Sequence, residues 1–273
     1  MLINKTEHMN SLSRLWNTVF GDDYSFIELI FKKEYDNGIL CFAAFDNKEA
    51  VSAFYLIKNT LKFNRKQYEG YYLYAAATLP EYRGKGFMSE LIEEAKKYCA
   101  DKGADFITLV PSQESLYGYY SRFGFEKAMY RCESSFSLKT ARSDKKEVIN
   151  NGDEILRIRN CYEGGIISFH PSTIGYALDC FRNADMRFLR ISDDSYLLYS
   201  DEEDSVSELV SSEKKLSENV SALPGGVNSI TSPFELDCFK NNVIRPYGMI
   251  YPVNRELERA WKITDIYMNM ALD

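Results

Sequence analysis

Histidine is scarce in this chain: among 273 residues it occurs only as His8 and His170, and the six cysteines (Cys41, Cys99, Cys132, Cys161, Cys180 and Cys238) include no Cys-x-x-Cys pair. A zinc site draws on closely spaced Cys and His, and a disulfide scaffold on many cysteines in a short chain. Neither is expected, nor is any metal. The cysteines read instead as small buried hydrophobes. Long apolar runs are also missing. The longest, Ile39 to Phe45, is far short of the ~20 residues that cross a bilayer. The opening Met1 to Glu7 has no signal-peptide core, so a cytoplasmic protein with no membrane partner is expected. An excess of positive charge is absent as well: 33 Lys and Arg against 40 Asp and Glu leave a net charge of −7. No nucleic-acid partner is expected, because a duplex binder needs a basic face to displace counterions.

What remains is an ordinary globular composition, 45% hydrophobic and 27% charged, enough for a sizeable core. At ~100–200 residues per domain, the length fits two domains. From His8 to about Tyr35, apolar residues at helical spacing (Leu12, Leu15, Trp16, Val19, Phe20, then Phe26, Leu29, Ile30) predict two short helices broken at Gly21-Asp22-Asp23. Ile39–Phe45 and Val51–Ile57 around Asp46-Asn47 predict a hairpin, and Gln67–Thr78 a further strand ending at Pro80. Phe87–Lys102 carries one apolar stripe (Phe87, Met88, Leu91, Ile92, Ala95, Tyr98, Cys99) opposite Glu and Lys, the pattern of an amphipathic helix closed by Gly103. Phe106–Val110 reads as a strand buried on both faces. A helix from Glu114 to Phe123 and a strand from Phe125 to Leu138 follow.

The polar stretch Thr140–Asp153 predicts a linker, with a boundary near residue 148 between domains 1–140 and 150–273. Beyond it, Ile155–Ile158 and Ile166–Phe169 read as strands and Ser172–Phe181 as a helix. Met186–Ile191 with Tyr196–Tyr199 reads as a hairpin, Val206–Leu216 as a helix, Ile244–Tyr251 as a late strand and Glu256–Leu272 as a final helix.

The chemistry concentrates in Ala76-Ala77-Thr78-Leu79-Pro80-Glu81-Tyr82-Arg83-Gly84-Lys85-Gly86-Phe87-Met88, where a strand breaks at Pro80 and enters the amphipathic helix through a glycine turn. Consecutive peptide N–H groups at such a turn, with the positive end of the helix dipole behind them, make an anion site. Arg83 and Lys85 add charge, and the glycines let an oxygen reach the main chain. A pyrophosphate is the natural guest. The Walker pattern fails because Leu79 stands where its first Gly belongs. The dinucleotide fingerprint fits only as Gly84-x-Gly86: Ser89 replaces its third Gly, and Pro111-Ser112-Gln113 offers no acid after the next strand. A third pattern fits: Arg/Gln-x-x-Gly-x-Gly/Ala after a Val/Thr-x-Pro strand end, here Thr78-Leu79-Pro80 and Arg83 to Met88.

On these residues, and on Leu116-Tyr117-Gly118-Tyr119-Tyr120-Ser121-Arg122-Phe123-Gly124-Phe125 with its Tyr-x-x-x-Gly-Phe ending, the chain resembles the GNAT superfamily of acyl-CoA-dependent N-acetyltransferases. Met88 stands where that family carries a small residue. The resemblance implies an α/β (α+β) fold, a mixed, mostly antiparallel sheet flanked by helices, and acetyl-CoA as cosubstrate. It places the pantetheine arm along Ala77 and Thr78 and the pyrophosphate at Arg83, Gly84, Lys85, Gly86, Phe87 and Met88. It further implies direct attack by a primary amine, from a small molecule or a peptide, with Tyr120 as the general acid. For the base, the family position falls on Tyr72, with Glu69 and Tyr74 near it. Strand alternation sets Glu69 and Tyr72 on opposite faces, and ordered water or the terminal carboxylate at Asp273 stay open. A CoA-binding sensor or scaffold with decayed catalysis is the alternative.

The second half lacks another such turn. The layout is similar to two-domain acetyltransferases related to the enhanced-intracellular-survival proteins, which implies a smaller, degenerate GNAT-like α+β module that walls the acceptor cleft or forms a homo-oligomer surface. The acidic residues Asp22, Asp23, Glu28, Glu34 and Asp36 fall in helices that border the acceptor groove of that family. Asp201-Glu202-Glu203-Asp204 could draw a cationic acceptor through its field.

Overall fold

The computed structural model describes residues 1–135, 147–200, 205–211, 229–233, 242–254, 256–258, 266–268 and 272. The first half runs β1 (Leu2–Ile3), α1 (Met9–Phe20), α2 (Tyr24–Ile27), β2 (Ile39–Asp46), β3 (Glu49–Phe63), β4 (Lys66–Thr78), α3 (Phe87–Asp101), β5 (Phe106–Leu109), α4 (Glu114–Ser121) and β6 (Glu126–Ser135). Apart from the two-residue β1, this is the order that the hydrophobic pattern predicts. Local chemistry sets the turns: Asn47-Lys48 and Asn64-Arg65 all adopt positive φ, the conformation that two-residue hairpin turns require. All four residues of β5 are buried, as a strand covered on both faces must be.

The second half runs α5 (Gly152–Cys161), β7 (Gly165–Phe169), α6 (Ile174–Asn183), β8 (Met186–Ser192), β9 (Ser195–Ser200), β10 (Ser205–Val210), β11 (Ser229–Ser232), β12 (Asn242–Pro252) and β13 (Ile266–Tyr267). Three expectations fail here. Ile155–Ile158 lies in α5 rather than a strand, because Ile155, Ile158 and Arg159 form a buried helical stripe and the Asn151 side chain caps the Asp153 N–H at 2.9 Å. The stretch expected to be helical from Val206 begins as β10, held between β9 and β11. Its buried Glu208 is a charge that periodicity cannot place. Ile266–Tyr267, expected in a final helix, is a strand parallel to both β6 and β7. Cys161 also departs from expectation: it is exposed, whereas Cys41, Cys99, Cys132 and Cys180 are buried. Cys238, Asp201–Asp204 and Asp273 lie outside the described residues.

All described strands belong to one mixed, mostly antiparallel sheet, ordered β1-β2-β3-β4-β5-β12-β6-β11-β10-β9-β8. The two halves share it. β12 lies between β5 and β6, with Met249 opposite Leu109 and Ile250 opposite both Thr108 and Glu126. β7 pairs with the far end of β3, Leu61 facing Ile167, and β13 joins β7 to β6, so these ladders close on themselves. Sequence position 148 is therefore no break in the sheet; Ile149 itself donates its N–H to Phe188 at 2.8 Å.

One core, with Leu91, Ile92 and Ala95 of α3 and Tyr117 and Tyr120 of α4, covers one face. The other core joins α1, α5 and α6 across the halves. Asp179 of α6 ties the halves further, accepting from Lys32 Nζ at 2.6 Å and Tyr35 Oη at 2.8 Å. Fully buried Arg159 donates to both oxygens of buried Glu208 (2.7 and 2.8 Å), to Ser168 Oγ (2.8 Å) and to the Ile167 carbonyl (2.7 Å). Among the described residues no helix is long and apolar enough to cross a membrane.

Candidate active site

β4 and β5 run parallel and hydrogen-bond only from Gly70 to Tyr72, against Phe106 to Thr108. Beyond that point β4 continues to Thr78 while β5 ends at Leu109, so the two strands part. The break is built into β4, whose register against β3 shifts between Tyr74 and Ala77. Ala75 there has a φ of 50°, a left-handed conformation that costs a residue with a Cβ about 1 kcal/mol. This bulge re-aims the strand end. The edge of β4 that faces away from β3 is left without a β5 partner over its last residues.

At that end, Ala77 is buried opposite Ala53, and Thr78 faces Ser52, their hydroxyls 2.8 Å apart. A single turn over Pro80–Tyr82 leads to the corner. Gly84 and Gly86 have φ of 74° and 92°, and a Cβ at Gly84 would find no atom within 4 Å. The corner is open. The first helical bond of α3 is Glu90 N–H to the Gly86 carbonyl at 3.0 Å, so the N–H groups of Phe87, Met88 and Ser89 precede the ladder and point out of the helix end. Arg83 is exposed and turns its Nε back on the Thr78 carbonyl at 3.1 Å, bracing the corner against the strand. Lys85 Nζ sits 4.6 Å from the centre of the Tyr82 ring, while Tyr82 Oη donates to Asp46 at 2.6 Å. Phe87 meets the edge of Tyr82 at 5.9 Å. The half-buried Met88 packs against the core beneath α3.

Between the parted strands lies a cleft of about 330 Å³. Trp16, Phe20 and Asp22 form one wall, Tyr72 to Ala76 of β4 the floor, and Leu116 and Tyr120 of α4 the other wall. Tyr120 is buried, with Tyr119 and Phe125 edge-on at 5.2 and 6.0 Å. Burial pushes its phenol well above the ordinary tyrosine value, and Tyr119 adds to the shift. The side chain therefore keeps its proton at neutral and mildly alkaline pH.

The structure brings together the corner residues, the Ala77–Thr78 edge and Tyr120 along one parted seam. Of the residues near the expected base position, Tyr72 and Tyr74 line the cleft. Glu69 does not: it pairs with Thr60 further back on β4, and its carboxylate lies 3.7 Å from His170 Nε2. The bulge falls after Tyr74, so nothing rotates Glu69 onto the Tyr72 face. Among the five acidic residues of the first helices, only Asp22 lines the cleft; Asp36, for one, pairs with Lys5. Sequence reading missed Trp16, Phe20, Val110 and Leu272 as lining residues. Trp16 and Phe20 share the apolar face of an amphipathic helix with ordinary core positions, and nothing local in Leu272 signals that it reaches this cleft.

Residues 4–128, which hold the corner, the parted strands and Tyr120, match the model of the acetyltransferase (GNAT) domain family. No curated protein matches the sequence. Solved structures extend the likeness in fold through the second half. A conserved protein of unknown function from Enterococcus faecalis V583 aligns with a TM-score of 0.71 at 16% identity, over 93% of this chain and 72% of its own. A GCN5-related N-acetyltransferase from Kribbella flavida aligns at 0.67 and 16%, over 93% and 72%. Eis1 from Mycobacterium abscessus aligns at 0.65 and 16%, over 94% and 74%.

Proposed function

We propose that the protein transfers an acetyl group from acetyl-CoA to a primary amine by direct attack within a ternary complex. The observation that carries this reading is the parting of β4 from β5 over an unobstructed glycine corner. A pantetheine arm can add to the free edge at Ala77 and Thr78 as an extra strand, while the peptide N–H groups from Gly84 to Met88, with Arg83 and Lys85, receive the pyrophosphate. The thioester then lies in the aromatic cleft. The amine lone pair attacks its carbonyl carbon, the bulge at Ala75–Ala76 supplies peptide dipoles for the oxyanion, and the Tyr120 phenol protonates the departing thiolate. The amine's surplus proton leaves to water, since among the described residues no carboxylate other than Asp22 lines the cleft. The terminal carboxylate, at Asp273, lies outside the described residues.

Initial-rate kinetics test the mechanism. Thiol release should require acetyl-CoA and amine together and give intersecting double-reciprocal lines. Parallel lines would indicate an acetyl-enzyme and overturn direct attack.

A further inference from the structure

The composition of the cleft narrows the class of acceptor. Its walls are the rings of Trp16, Phe20, Tyr72, Tyr74 and Tyr120, together with aliphatic side chains. Among the described lining residues, Asp22 is the only anion and Ser112 the only aliphatic hydroxyl. The carboxylate is held in place: the Trp16 indole N–H donates to its Oδ2 at 2.7 Å, and Asn17 Nδ2 grips the Asp22 carbonyl at 2.9 Å. Among the described residues no side chain donates to Oδ1, which leaves that oxygen for an incoming ammonium. Beside it the Trp16 ring stands in contact with Phe20 at 6.0 Å and Tyr74 at 5.5 Å. Phe20, at the cleft's rim, is 45% exposed, unusual for a phenylalanine on the apolar face of a helix.

Size points the same way. A cleft of about 330 Å³ is at the lower end of the ~300–1,000 Å³ span of small-molecule pockets, and the thioester takes part of it. A polyamine or a sugar with several amino groups would bring further ammonium groups, for which the described lining holds no second carboxylate, and each such group carries a desolvation penalty.

Resting on the acetyltransferase reading above, we propose that the acceptor is a small primary amine with one positive charge on an aromatic or branched apolar skeleton. Asp22 receives its ammonium, and Trp16, Phe20 and Tyr74 receive its carbon frame. The bound ammonium loses one proton to water and the neutral amine forms the C–N bond to the carbonyl carbon; the oxyanion then collapses with cleavage of the C–S bond, the thiolate takes the Tyr120 proton, and the nitrogen's second surplus proton returns through water to the Tyr120 phenolate.

The test compares phenethylamine and isoamylamine with spermidine, kanamycin and a lysine peptide, by thiol release from acetyl-CoA on the full chain. Expected is a kcat/KM at least tenfold higher for the first two. Asp22→Asn keeps an acceptor for the Trp16 indole and so keeps the fold; it should raise the phenethylamine KM at least tenfold with a smaller change in kcat. Phe20→Ala should weaken phenethylamine more than isoamylamine. Quenching of indole emission by phenethylamine gives an affinity independent of turnover and should loosen tenfold in Asp22→Asn. Preference for spermidine, kanamycin or the peptide, or an Asp22→Asn variant with unchanged KM, would overturn the acceptor class while leaving the acetyltransferase intact. Absence of any acetyl-CoA binding would remove both.

Discussion

A phenol buried among rings keeps its proton, and in the proposed mechanism, with Tyr120 as the acid, this decides the pH behaviour of the reaction. Because its pKa is raised, the acid form persists above the ordinary value of about 10. The attacking amine, in contrast, must be neutral. The rate should therefore climb with pH from about 7 to about 9.5 without an alkaline limb, since the free amine increases while the acid is not lost. Tyr120→Phe should lower kcat by about 10²-fold or more with acetyl-CoA affinity unchanged. A stopped assay with the variant and a binding titration check this together, and equal kcat would assign Tyr120 to packing alone. Tyr120 was legible in sequence through its place four residues before Gly124. Its cleft partners Trp16 and Phe20 were not, because they share composition and spacing with residues that merely fill a core.

Among the elements, the corner between β4 and α3 was the most legible, since glycine, proline and charge punctuate it. The parting of β4 from β5 was hidden: it depends on a bulge at Ala75, a residue type with no turn signature. The second half was misread where tertiary pairing overrides local pattern. β10 and α5 exchange places with the expectation because each is fixed by the other, through Arg159 and Glu208. Both side chains are fully buried, so removing one partner strands the other charge in the core. Glu208→Gln should destabilise the protein by about 3–5 kcal/mol, measured by urea denaturation. The double change Arg159→Met with Glu208→Leu should cost much less, because it leaves no unpaired charge. A loss from the double variant as large as from the single one would show that packing, not charge, sets the effect.

At the scale of the whole molecule, the inserted β12 and the ladder through β7 and β13 make the halves one sheet. The order of elements in the first half was readable from periodicity, whereas the interleaving was not, since no local pattern encodes which distant edge a strand joins. The shared core also carries a pH signature. Burial pushes the phenols of Tyr55, Tyr176, Tyr196 and Tyr267 well above their ordinary value. The unfolded chain releases those protons near pH 10 while the folded chain keeps them, so stability should hold below about pH 10 and fall above it. Urea midpoints at about pH 8 and about pH 10.5 check this, a constant midpoint being the contrary result. The most direct measurement of all is calorimetric titration of acetyl-CoA into the full chain, beside Arg83→Ala and Gly86→Asp. Saturable binding that weakens in the first variant and vanishes in the second is the predicted outcome. No heat with the native chain, or equal affinity in Gly86→Asp, would contradict the assignment of the corner as the diphosphate seat.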